Sequence, residues 1–231
     1  MNIVDALRQL ELFKGDSLAN TLDRLAESVA NQPISSLERI NKSYYIDANL
    51  LTSALAVKQM SAQIDVIVHA ACIAYVLPYI LHPDELIQSV ALGANNADSE
   101  FDLVTNHRIA EFKFVMWKPK GNAVREKTLF GDFVKLARED TTKKKYLYVL
   151  NTDIPRRFLS GRRDILKILD YNVRLRNLFF EQYGDKYIRV GAYYEAHKDR
   201  VQIVNLADEV KDIAQIITTI YKVIHPSRAE E

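Results

Sequence analysis

The chain has 231 residues, 48% of them hydrophobic, with 31 lysines and arginines against 30 acids and a formal net charge of +1. That is enough apolar material for a real core, and with 7 glycines and 6 prolines the composition excludes a disordered, collagen-like or low-complexity chain. A lone cysteine, Cys72, excludes an internal disulfide, and the near-neutral charge leaves any nucleic-acid binding to local basic patches.

Met1 to Asp5 has neither the basic start nor the apolar run of a signal peptide, so a cytoplasmic location is expected. Val4 to Phe13 has helical periodicity and Lys14-Gly15 ends it. Asp16 or Ser17 caps a second helix through Leu18, Leu22, Leu25 and Val29, which stops before Pro33. A shorter helix is predicted over Ile34 to Ile46. Residues 1–60 thus read as a helical N-terminal extension. Its apolar stripes must pack on the core or on a partner, either a second copy or another protein.

Helical patterning resumes at Asn49 and runs to Leu81. Ile64 to Leu81 is apolar and nearly long enough to span a membrane. It contains Asp65, His69 and Pro78, so the expectation is a buried core helix and no membrane. His69 then reads as a core histidine bonded to a neighbour, and Cys72 as a buried thiol.

The stretch Phe101 to Trp117 reads as a β-hairpin turning at Asn106-His107. Pairing Thr105 with Arg108 sets Val104 against Ile109, Leu103 against Ala110 and Asp102 against Glu111. Directly opposed residues have Cβ atoms about 5 Å apart, and like charges there repel. Lys113, two beyond Glu111, shares its face. Charges two apart on a strand are often only a solvated face. Here the strands are apolar on both faces, the pattern of burial, and buried charges need a partner or a job. Two carboxylates and an amine make a site for a hard divalent cation, Mg²⁺ or Mn²⁺, and a water.

Asp, a short spacer, then Glu-x-Lys on a hairpin resembles the PD-(D/E)xK nuclease superfamily, with its restriction-endonuclease-like fold. The resemblance covers about residues 60 to 152. It implies strands at Glu85 to Leu92, Phe101 to Thr105, Ile109 to Trp117 and Lys145 to Asn151, with Arg125 to Glu139 as the crossing helix. It also implies that Asp102 and Glu111 bind metal with the carbonyl of Phe112, and that Lys113 is catalytic. Phe101 stands where the family's name has proline. Gln63, Asp65 or Glu85 are the possible counterparts of the glutamate that many members carry on the first helix.

The crossing helix has an apolar stripe of Leu129, Phe130, Phe133, Leu136 and Ala137. Its charges read as a solvated face with Asp132 and Lys135 paired, while Arg125 and Lys135 are candidate substrate contacts. Arg156-Arg157 and Arg162-Arg163 follow the fourth strand and suit phosphate contact. The alternative is a surface loop paired with Asp153 and Asp164. A long helix to Tyr183 is closed by Gly184. A hairpin of Tyr187 to Glu195 with Arg200 to Leu206, and a closing helix from Asp208 to Ile224, complete the same domain over 153–231. His225-Pro226 ends that helix, and the tail should fray.

The expectation is an α/β protein whose mixed central sheet is flanked by helices, with a core at 61–152. The expected activity is Mg²⁺- or Mn²⁺-dependent hydrolysis of phosphodiester bonds in nucleic acid, DNA foremost, in defence, restriction or repair. The alternatives are a nuclease-like module that binds nucleic acid or protein without cutting, and a structural oligomerisation domain.

Overall fold

A computed structural model describes residues 2–30, 32–93, 100–118 and 120–224, so the tail beyond Ile224 lies outside the described residues. The chain forms two compact units, Met1–Ile67 and Val68–Glu231.

The first unit holds α1 (Ile3–Lys14), α2 (Leu18–Val29), α3 (Ile34–Ser43) and the first part of α4 (Ala48–Ile80). Local chemistry sets the boundaries. Asn2 and Asp5 form a reciprocal capping box at the start of α1. Gly15 ends it with φ +56°, a conformation costly for any residue with a Cβ. The Ser17 hydroxyl accepts the Asn20 N–H at 3.4 Å and caps α2. Thr21 ties the helices together by donating to the Lys14 carbonyl at 2.9 Å.

Among the described residues, α4 is the one helix long and apolar enough to cross a membrane, by length and composition. It differs from the buried core helix expected. Ile73 and Val76 are fully buried, but Leu51, Leu55, Ile64 and Ile67 are exposed. Cys72 is only half-buried, and that burial raises its thiol pKa.

The second unit is built on a mixed sheet of β1 (Ile87–Val90), β2 (Leu103–Thr105), β3 (Arg108–Lys113), β4 (Lys144–Val149) and β5 (Gln202–Asn205), in that spatial order. The first three strands are antiparallel; β4 and β5 run parallel to β3. Leu103 pairs with Ala110 and Val104 with Ile109, the register expected of the hairpin. Strand β3 ends at Lys113, short of Trp117.

Alternation along the strands makes two cores. Ile109, Leu147, Val149 and Ile203 pack with α5 (Ala123–Arg138), the crossover from β3 to β4. Ala110, Phe112 and Tyr148 pack on the other face with Ile73 and Val76 of α4, and with Leu206 and Ile213.

After β4 come α6 (Asp153–Leu159), α7 (Ile165–Ile168), a 3₁₀ turn, α8 (Val173–Tyr183), α9 (Val190–His197), then β5, α10 (Leu206–Glu209) and α11 (Lys211–Ile224). The long helix expected up to Tyr183 is broken, because Asn172 accepts the Leu175 N–H at 3.0 Å and caps α8 afresh. The closing helix is likewise broken at Val210, whose backbone is extended.

The predicted C-terminal hairpin is not formed. Val190–His197 is a helix, and β5 joins the edge of the sheet parallel to β4 instead. Val190, Tyr193 and His197 recur at helical spacing and are all buried. Gly191 also abuts the Ser160-Gly161 turn that follows α6: a Cβ there would stand 2.7 Å from the Gly161 carbonyl oxygen, so this turn tolerates no side chain.

Candidate active site

On β3, Glu111 and Lys113 share the face that meets α5, while Phe112 between them points into the opposite core. Helix α5 presents Asp132 and Lys135, three residues apart, to that face. Lys135 pairs with Glu111 and Lys113 pairs with Asp132. Lys135 Nζ also lies 3.9 Å from Asp132 and donates to the Glu100 carbonyl at 3.1 Å. Glu111 and Asp132 are buried, at 4% and 8% exposure.

Asp102 sits just before β2 and is held on two sides. Its carbonyl accepts the Ala91 N–H at 2.8 Å, toward β1. On the β3 side its Oδ2 accepts the Phe112 N–H, also at 2.8 Å. Its other oxygen, Oδ1, lies 3.3 Å from His69 Nε2 on α4. His69 in turn stands edge-on to Phe114, with ring centroids 6.0 Å apart. The cluster therefore joins three carboxylates, two ammonium groups and an imidazole.

The electrostatics follow from burial and charge. Burial pushes the Glu111 carboxyl well above its ordinary range, and the neighbouring Asp132 and Asp102 push it further, more than Lys135 pulls it down. Burial also opposes the charge on Asp102, but His69 and the Phe112 N–H outweigh it and hold that carboxyl low. Burial disfavours the charged form of both lysines, yet Asp132 and Glu111 keep Lys113 and Lys135 more firmly protonated than in water. Tyr171 feels the same field: burial, then the charge of Asp132, raises its phenol to about 12.

Of the residues singled out in the sequence, Asp102, Glu111, Lys113 and Lys135 come together. Arg125 lies seven residues before Asp132 on the same helix face, with Nη1 3.4 Å from the Asn122 side-chain oxygen. Arg156 is exposed but donates to the Ile203 carbonyl at 3.1 Å. Arg157, Arg162 and Arg163 line a separate cavity of about 820 Å³. Asp164 pairs with Arg189 at 3.8 Å, not with an arginine of the two pairs. A second cavity, about 510 Å³, opens beside Lys135 between Arg138 and Arg174.

Glu85 is spoken for. Arg108 donates to both its oxygens at 2.6 Å, and the Thr105 hydroxyl donates at 2.5 Å. Gln63 and Asp65 are exposed on α4.

Sequence reasoning missed His69, Tyr171 and above all Asp132, which read as half of a solvated pair. One signal was present: Leu129 and Leu136 flank Asp132 at helical spacing and both are core, so Asp132 shares their side of the helix.

No family model, no curated protein and no solved structure matches this chain. Among the described residues, no three His, Cys, Asp or Glu side chains are grouped to hold a metal. The donor chemistry still suits Mg²⁺. That ion takes one or two carboxylates and keeps several waters, and Glu111 carries a repulsion from Asp132 and Asp102 that a cation would relieve.

Proposed function

We propose that the chain is a metal-dependent nuclease with a restriction-endonuclease-like core, hydrolysing phosphodiester bonds in nucleic acid, DNA foremost. One observation carries this reading. Asp102 and Glu111 are both drawn into a largely buried cluster with Lys113, and Glu111 is held there against the cost of burial and the repulsion of Asp132 and Asp102. A fold bears such a cost where function requires it.

Asp102 and Glu111 would hold Mg²⁺ or Mn²⁺, with the Phe112 carbonyl as a further ligand. When bound, the ion supplies Lewis-acid activation of a water and neutralises phosphate charge. The chain's own residues do the rest. The Phe112 N–H and His69 fix the rotamer of Asp102. Lys113, kept protonated by Asp132, orients the attacking water or steadies the charge growing on the phosphoryl oxygens. Lys135 pairs with Glu111 and would have to release that carboxylate for it to serve as a metal ligand. Arg125, Arg157, Arg162 and Arg163 would position the strand through its phosphates. Arg156 is left out of that set because the Ile203 carbonyl holds it.

The apolar side chains exposed on α1, α2 and α4 support self-association or a protein partner through the N-terminal helices. A cytoplasmic setting, in defence, restriction or repair, belongs to the same reading.

A second reading, a nuclease-like module that binds without cutting, is favoured by the capping of Glu111 by Lys135 and of Asp132 by Lys113. One experiment separates the two. Purified protein is incubated with plasmid, linear and single-stranded DNA and with RNA, in Mg²⁺, Mn²⁺ or EDTA. The nuclease reading expects metal-dependent cleavage that Glu111→Gln abolishes. Cleavage by neither protein, or by both alike, removes it.

A further inference from the structure

We infer that the cavity at the N-terminal end of α5 is a phosphate-binding subsite for a nucleic-acid strand. Lys120, Arg157, Arg162 and Arg163 line it, with Glu126 as the one acid. Glu126 lies 3.5 Å from Arg163. Among the described residues, Lys120, Arg157 and Arg162 have no ion-pair partner. All three are exposed, so no burial fixes them. Cations lining one cavity repel, and an anion bound among them removes that repulsion.

The main chain adds to this. Asn122 stands at the N-cap of α5, but its side chain is used on the loop: it accepts the Lys118 N–H at 3.1 Å and donates to the Lys118 carbonyl at 2.5 Å. The helix start consequently has no side-chain cap, and Asn122 and Ala123 border the cavity. Open amides, guanidinium forks and an ammonium together match the several oxygens of a phosphate better than the two of a carboxylate. Arg156, next in sequence to Arg157, contributes nothing, being bonded to Ile203.

Position suggests the carrier. Ala123 to Asp132 spans about 13 Å of α5 at ~1.5 Å per residue, or about four nucleotides of stacked strand at ~3.4 Å each. That the phosphate belongs to a strand engaged at the carboxylate cluster rests on the proposed function; phosphate binding by the cavity does not. The group could be an internal diester or a terminal monoester, which carries about −1.5 to −2 charge.

Fluorescence anisotropy on the full chain, in EDTA so that nothing is cut, tests the subsite. The probes are a short labelled single-stranded oligonucleotide with a 5′-hydroxyl and the same strand with a 5′-phosphate. Inorganic phosphate serves as competitor. Arg157→Ala/Arg162→Ala is expected to weaken binding about tenfold and lower the salt slope by about 1.4, ~0.7 for each lost contact on a single strand. Arg156→Ala is expected to leave the slope unchanged. Equal losses for both probes assign the cavity to internal diesters; loss of a 5′-phosphate advantage assigns it to strand ends. Lys120→Ala, on a different segment, gives the same reading if the double substitution disturbs folding. Wild-type affinity, slope and phosphate competition in both variants would overturn the subsite. A subsite that survives in a protein that never cuts would overturn only the nuclease reading.

Discussion

The Tyr171 hydroxyl oxygen stands 2.1 Å from the point that a Cβ on residue 131 would occupy, so the approach of Tyr171 to α5 depends on Gly131. That approach brings the phenol into the field of Asp132, Lys113 and Glu111. Gly131→Ala in a helix interior would ordinarily gain up to about 1 kcal/mol. Here the added methyl drives the half-exposed Tyr171 from its place against α5, a loss of about 1–2 kcal/mol, toward the low end of overpacking costs, and the variant is expected to melt below wild type. Adding Tyr171→Phe should restore part of the loss. The hydroxyl is the atom in conflict, and the next, Cζ, is at 3.3 Å. A Gly131→Ala protein more stable than wild type would mean that Tyr171 moves aside freely.

Lys113 has two jobs that one substitution cannot separate. Removing it leaves the buried Asp132 only the longer contact to Lys135 at 3.9 Å, which costs less than the about 3–5 kcal/mol of a buried charge with no partner. Lys113→Ala is thus expected to be destabilised as well as slow, by roughly a hundredfold or more in cleavage rate if it stabilises transition-state charge. Lys113→Ala/Asp132→Ala should recover stability but not activity. Denaturant melts and single-turnover cleavage on wild type, Lys113→Ala, Asp132→Ala and the double variant check this. Additive stability losses would show the pair to be energetically idle.

Much of the site is legible in the sequence because it is local. The hairpin register follows from the Asn106-His107 turn and the alternation around it, and it sets Glu111 and Lys113 on one face. Asp132 and Lys135 were harder. An i,i+3 acid–base pair looks the same whether it faces water or a strand, and here each partner bonds across to β3 instead. The C-terminal region misled for another reason. Tyr187 to Glu195 is rich in aromatics that favour strands, yet the helix is selected by contacts with distant α6 and α8: Tyr193 packs on Phe179 at 5.0 Å between ring centroids. The parallel pairing of β5 with β4 spans several helices, and no local pattern announces it.

The raised pKa of Glu111 has a stability consequence of definite sign. Burial comes first among its causes, then Asp132 and Asp102. The native state keeps a proton that the unfolded chain releases near the ordinary value of 4.5. This carboxyl therefore lowers stability as pH rises from there through its folded pKa. Asp102 acts oppositely: its contribution is present above the ordinary 3.8 and is lost as pH falls through its depressed value. In urea melts from about pH 4 to pH 8, wild type should lose stability relative to Glu111→Gln as pH increases. Parallel curves would mean that Lys135 neutralises Glu111 completely.

The metal itself can be tested without any substrate. A cation that binds only the native state adds about 2.7 kcal/mol at a hundredfold excess over Kd. For a unit of this size that is a rise of roughly 5–10 °C in Tm. Asp102→Asn is expected to lose that rise. It should cost the metal-free protein only about 1 kcal/mol, because an amide oxygen still accepts the Phe112 N–H now held at 2.8 Å. Two further outcomes come from the pairing of Glu111 with Lys135. Lys135→Ala should tighten Mn²⁺ binding, since the cation no longer displaces an ammonium. Binding should also strengthen as pH rises, because Glu111 must give up its proton to become a ligand. Equal Mn²⁺-induced shifts in wild type, Asp102→Asn and Lys135→Ala would place any bound metal elsewhere and leave the cluster as a buried ion-pair network.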